Sequence, residues 1–128
     1  MSITPNGSIR ILLIDDNEQS CTLLSRYLSL EDDLHIVGTA HSGHDGLQLA
    51  YVLQPDLILT DYHLPDTDGP TLTLALCSDM PHIPVIVMSA ESDAWVADRA
   101  FEAGASGFAP KDGDPGQIVA VIRSIARM

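Results

Sequence analysis

Apolar residues in this chain fall into short unbroken runs, separated by longer stretches in which apolar positions recur at helical spacing. The runs predict β-strands at 9–15, 34–40, 57–61, 85–89 and 107–110, with a helix in each gap and a fifth at the end. Five successive βα units imply an α/β fold, because parallel strands need crossover connections that lay helices on both faces of the sheet. ILLI, LILT and VIVM lack polar alternation, which suits strands covered on both sides and places them mid-sheet.

Helix starts are marked by Asn17, Gly43, Asp68 or Gly69, Ser92 or Asp93, and Asp114 followed by Pro115. In the last helix Ile118, Val121, Ile122 and Ile125 make a core-facing stripe, with Arg123 and Arg127 outward near the carbonyl end. In the fourth, Ala97, Ala100, Phe101 and Gly104 define an inner face, which turns Trp95 outward as a candidate partner surface. Residues 1–8, with Pro5, Asn6 and Gly7, read as a flexible lead-in to one domain over 9–128.

At 128 residues and 45% apolar composition, the chain suffices for one core and leaves no room for a second functional domain. Eighteen acidic against six basic residues, a net charge of −12, argue against direct binding to nucleic acid or an anionic membrane. Cys21 and Cys77 form no metal-ligand spacing, and no signal peptide or membrane-spanning run is present, so a cytoplasmic chain with reduced thiols is expected. Cys21 shares a helical face with Leu24 and Leu28 and reads as a small buried hydrophobe.

Polar chemistry collects where the strands end. The first run stops at Asp15 and Asp16, the third at Asp61 and the fourth at Ser89, while Lys111 follows the fifth. The carboxyl ends of parallel strands form the crevice in which open α/β sheets bind ligands. Clustered carboxylates repel one another and call for a positive partner, and an all-oxygen acidic site suits Mg²⁺. A carboxylate beside Mg²⁺ can attack phosphorus to form an aspartyl phosphate, with Lys111 and Ser89 available to stabilise the transferred oxygens.

Taken in order, DDNE at 15–18, DYHLPDTDG at 61–69, Ser89 with Ala90, and GASGFAPK at 104–111 resemble the receiver domain of two-component response regulators. The resemblance implies a flavodoxin-like, doubly wound parallel sheet of order 2-1-3-4-5 with five helices on two faces. It implies Asp61 as phosphoacceptor, Asp16 and Asp61 as direct Mg²⁺ ligands, Asp15 acting through water, and the His63 backbone carbonyl as a further ligand. Lys111 would pair with the phosphoryl group, Ser89 would shift toward it, and Phe108 would rotate in response. The expected donor is a sensor histidine kinase or histidine phosphotransfer protein. The expected output is contact between the helix 4, strand 5 and helix 5 face and a downstream protein, with homodimerisation open. The expected role is a phosphorylation-activated switch that assists its own phosphorylation and dephosphorylation without being an enzyme.

Two alternatives stand beside this reading. One is a receiver-like interaction or dimerisation module that works without phosphorylation; the other is a haloacid-dehalogenase-like phosphatase, which Asp66, Thr67, Asp68 and Gly69 echo but chain length disfavours. Against the family pattern, the proline precedes Lys111 as Pro110 instead of following it, so a trans Lys111–Asp112 bond is expected. His63 and Glu91, each two residues beyond a site residue, are expected to meet over the pocket and restrict attacking water. His41 and His44 offer no metal array and read as solvent-facing.

Overall fold

The computed structural model describes residues 7–91 and 93–126. Five strands, β1 (Ile9–Ile14), β2 (Leu34–Ala40), β3 (Leu57–Asp61), β4 (Val85–Ser89) and β5 (Gly107–Pro110), alternate with α1 (Glu18–Ser29), α2 (Gly43–Leu53), α3 (Gly69–Asp79), α4 (Ala94–Glu102) and α5 (Gly116–Ala126). All neighbouring strands are parallel, in the order β2-β1-β3-β4-β5. β1 and β3 are therefore adjacent, with Ile14 opposite Thr60, so their acidic ends emerge side by side.

Strand side chains alternate between two cores. Ile11, Leu13, Leu57, Leu59, Ile86 and Met88 pack with α1 and α5. Leu12, Ile14, Ile58 and Val85 face α2 and α3, while Val87 joins Tyr62 beneath α4. Cys21 is buried in the first cluster, as its helical phase indicates.

Gly43 opens α2, as expected, and the residue before it, Ser42, supplies the cap, its hydroxyl accepting from the Asp45 N–H. Other expectations shift by a residue or a face. The buried side of α4 is Val96 and Ala100, while Phe101 is half-exposed and Gly104 lies beyond the helix at φ +109°. Val96 and Phe101 lie roughly 140° apart around the helix axis, so only one of them can face the core. In α5 the buried stripe is Ile118, Val119, Ile122 and Ala126, with Val121 and Ile125 at its edge. Arg123 does not simply face solvent: its guanidinium bonds Asp33 at 2.8 and 3.0 Å and Glu31 at 2.7 Å in the α1–β2 loop. Residues 1–6 of the expected lead-in, Ser92 and Arg127 lie outside the described residues.

Candidate functional site

β1 and β3 each carry a carboxylate to the carboxyl edge of the sheet. Asp15 is fully buried and Asp61 nearly so, at 0% and 3% exposure, whereas Asp16 is exposed. One oxygen from each of the three lies within 4.8 Å of the others. Lys111, delivered by the end of β5, places Nζ 2.8 Å from the Asp61 carboxylate and 3.1 Å from Asp15 Oδ1. Asp15 also accepts from the Asn17 N–H at 3.0 Å and the Ser20 hydroxyl at 2.8 Å.

The electrostatics follow from crowding. Burial, reinforced by neighbouring Asp15, pushes the Asp61 carboxyl up to about 8 despite Lys111. Burial also opposes ionisation of Asp15, but hydrogen bonds involving Asp61, Asn17, Ser20 and Lys111 outweigh it and hold that carboxyl below its usual value. Burial works against the Lys111 ammonium, yet Asp61 and Asp15 raise it above its ordinary range. With all three acids ionised, one ammonium leaves two negative charges, the charge of one divalent cation. The all-oxygen donor set fits Mg²⁺.

A cavity of about 190 Å³ opens over these groups, lined by Asp16, Asp61, His63, Ser89, Ala90 and Lys111. Ser89 is buried, and its Oγ accepts from the Glu91 N–H at 3.0 Å. On the rim, His63 Nε2 meets Glu91 Oε1 at 2.7 Å, the approach expected from their positions. Pro110 ends the edge strand, and the next N–H, that of Lys111, donates to the Ser89 carbonyl at 2.9 Å, so the ladder continues past the proline. No cis peptide occurs among the described residues, in keeping with the trans expectation at Lys111–Asp112.

The sequence matches the family model for the response regulator receiver domain over residues 11–123. This chain belongs to that family. It is 33% identical over 115 residues to response regulator protein VraR of Staphylococcus saprophyticus, an alignment covering 90% of this chain and 55% of that protein. The chain thus spans about half the length of the curated relatives it matches. Among solved structures, the signal receiver domain of the putative response regulator NarL from Mycobacterium tuberculosis superposes with a TM-score of 0.88 at 30% identity, covering 94% of this chain and 97% of that one. A LuxR-family two-component response regulator from Aurantimonas gives a TM-score of 0.90 at 26% identity, covering 94% of this chain and 86% of that one. The general function of receiver domains is phosphorylation-dependent switching in two-component signalling; they are not classical enzymes.

In this receiver domain the remaining expected residues lie around the β4–α4–β5 edge. Phe108 is partly buried against Tyr62, Val87, Val96 and Ala100. Trp95 is 51% exposed, its ring perpendicular to that of Tyr62 at 6.4 Å, with the Arg99 guanidinium 6.0 Å over it. Reading the sequence missed Ser20, which holds Asp15, and it missed Tyr62, which links Asp61 to α4. A polar residue one helical turn into α1 was the only signal for the first. His41 is exposed, as expected, and its Nδ1 also lies 2.8 Å from the Asp15 carbonyl oxygen. Among the described residues no helix is long and apolar enough to cross a membrane.

Proposed function

We propose that this chain accepts a phosphoryl group on Asp61 from a phosphohistidine of a kinase or phosphotransfer protein and signals through protein contacts of the α4–β5–α5 face. The observation that carries the reading is Lys111 Nζ seated 2.8 Å from Asp61 beside two further carboxylates. An Asp61 carboxylate oxygen bonds to phosphorus as the phosphorus–nitrogen bond breaks, and the donor imidazole leaves with that electron pair. Asp16, Asp61 and the His63 carbonyl would hold Mg²⁺, with Asp15 assisting, and the ion would supply charge neutralisation. Lys111 holds a phosphoryl oxygen, and the buried Ser89 hydroxyl, whose hydrogen is free to turn, donates to another. Movement of Ser89 draws on the β4–α4 loop, and Phe108 and Trp95 sit where α4 would register it. An acidic receiver domain does not itself bind nucleic acid in this scheme, and its setting is the cytoplasm.

Incubation with acetyl phosphate and Mg²⁺ tests the assignment by intact mass. A gain of one phosphoryl group is expected, and Asp61→Asn abolishes it. No gain in the wild type would favour the phosphorylation-independent module, and turnover of many substrates would favour a phosphatase. The His63–Glu91 pair closes the rim above Asp61 and shields the acyl phosphate from water. His63→Ala and Glu91→Ala should each speed loss of the phosphoryl group several-fold; unchanged lifetimes in both would remove the pair from the mechanism.

A further inference from the structure

Two loops carry the buried carboxylates, the β1–α1 loop with Asp15 and the β3–α3 loop beginning at Asp61, and a third loop that carries no candidate ligand touches both. The Asp15 backbone is gripped where β2 gives way to the β2–α2 turn: its N–H donates to the carbonyl of Ala40, the last strand residue, at 2.9 Å, and its carbonyl lies 2.8 Å from Nδ1 of His41, the first turn residue. A carbonyl only accepts, so Nδ1 is the donor in this contact. Two residues further on, the Gly43 and His44 N–H groups donate to the Asp66 carboxylate at 2.8 and 2.9 Å. Asp66 therefore completes, from another loop, the cap that Ser42 begins, since Ser42 satisfies the Asp45 and Gly46 N–H groups. The contact is close: a Cβ on Gly43 would fall 2.4 Å from Thr67 Cγ2.

We propose that the β2–α2 turn is a brace that sets the spacing of the two acid-bearing loops, with His41 and Asp66 as positioning residues for the Asp15–Asp61 pair. Neither residue reaches the 190 Å³ cavity, and both are exposed, so neither is needed to fill the core. Their work is to fix backbone. His41 holds the peptide from which the Asp15 side chain springs. Asp66 anchors the far side of a loop that closes on itself through Leu64 N–H to the Thr67 carbonyl at 3.2 Å and Gly69 N–H to the Tyr62 carbonyl at 2.6 Å. Loosening either tie lets the carboxylates drift apart, and a metal site depends on the groups that orient its ligands. The inference rests on the receiver reading of the site.

The test is a calorimetric Mg²⁺ titration of the full chain, with thermal melting alongside. His41→Ala and Asp66→Ala should each weaken Mg²⁺ binding about tenfold, the usual scale for losing such a supporting group. His41→Asn, whose amide N–H can stand where Nδ1 stands, should restore most of the affinity, and His41→Gln, with its amide one carbon further out, should not. Mg²⁺ affinity unchanged in both alanine variants overturns the brace, as does a loss that follows melting temperature alone and is shared equally by Asn and Gln. Failure of the wild type to bind Mg²⁺ or take a phosphoryl group would instead sink the receiver reading.

Discussion

At the scale of single residues, the decisive group is a carboxyl that resists ionisation. The folded chain raises Asp61 to about 8 from an ordinary 3.8, so the native state keeps a proton that the unfolded chain releases. The stability associated with that proton is fully present below about pH 4 and is lost as pH rises through about 8. Asp61→Asn cannot ionise. Without Mg²⁺, it should melt a few degrees above the wild type at pH 8, with the gap closing toward pH 4, and added Mg²⁺ should narrow the gap at pH 8. Melting curves that stay parallel across this range would show that Asp61 does not carry the strain. These site residues were legible because each stands at the end of an apolar run, where the pattern breaks abruptly from aliphatic to acid, hydroxyl or lysine. His41 and Asp66 were not legible. Their partners are 26 and 22 or 23 positions away, and only the packed fold brings the β2–α2 turn against both loops.

At the scale of elements, the strands could be read nearly to the residue because continuous aliphatic runs leave little choice of register or face. Helix phase was harder. α4 has nine residues, three of them alanine, and its large apolar side chains, Trp95, Val96 and Phe101, leave the axis in different directions, so the sequence alone does not say which of them is inner. What positions the site between elements is close backbone approach at the start of α3. A Cβ on Gly69 would lie 2.7 Å from the Asp61 carbonyl oxygen and 3.0 Å from Tyr62 Cα, atoms that cannot swing aside as a side chain can. Gly69→Ala should therefore cost about 1–3 kcal/mol by overpacking. It should also slow phosphorylation by acetyl phosphate, since the displaced backbone is that of the proposed acceptor. Denaturant unfolding and the rate of mass gain measure the two effects. Full stability with normal phosphorylation would mean that the loop yields more easily than its contacts indicate.

At the scale of the molecule, the sheet acts as a frame whose carboxyl edge gathers β1, β3, β4 and β5 around one cavity. Sheet order explains why: adjacency of β1 and β3 joins acids that stand 45 and 46 positions apart in the chain. A groove of about 740 Å³ between α1 and α5 runs up to that cavity and shares Ala90 and Lys111 with it. Charge is distributed just as unevenly. Of the six basic residues, Arg10 is spent on the Leu53 and Gln54 carbonyls at the end of α2, Lys111 on the acidic site, and Arg123 on Asp33 and Glu31. Half of the chain's cations are thus engaged within the fold, and with a net charge of −12 an approaching molecule meets a surface of mostly one sign. Such a surface acts at a distance, drawing in cationic surfaces and turning away anionic ones before any contact is made. Association with a signalling partner should therefore slow steeply as salt is raised from about 0.01 to 0.15 M, as the Debye length contracts from about 30 to 8 Å. Stopped-flow rates that ignore ionic strength would locate recognition in contact chemistry alone. Otherwise, selection of a partner begins in the solvent, some tens of ångströms before Asp61 is within reach.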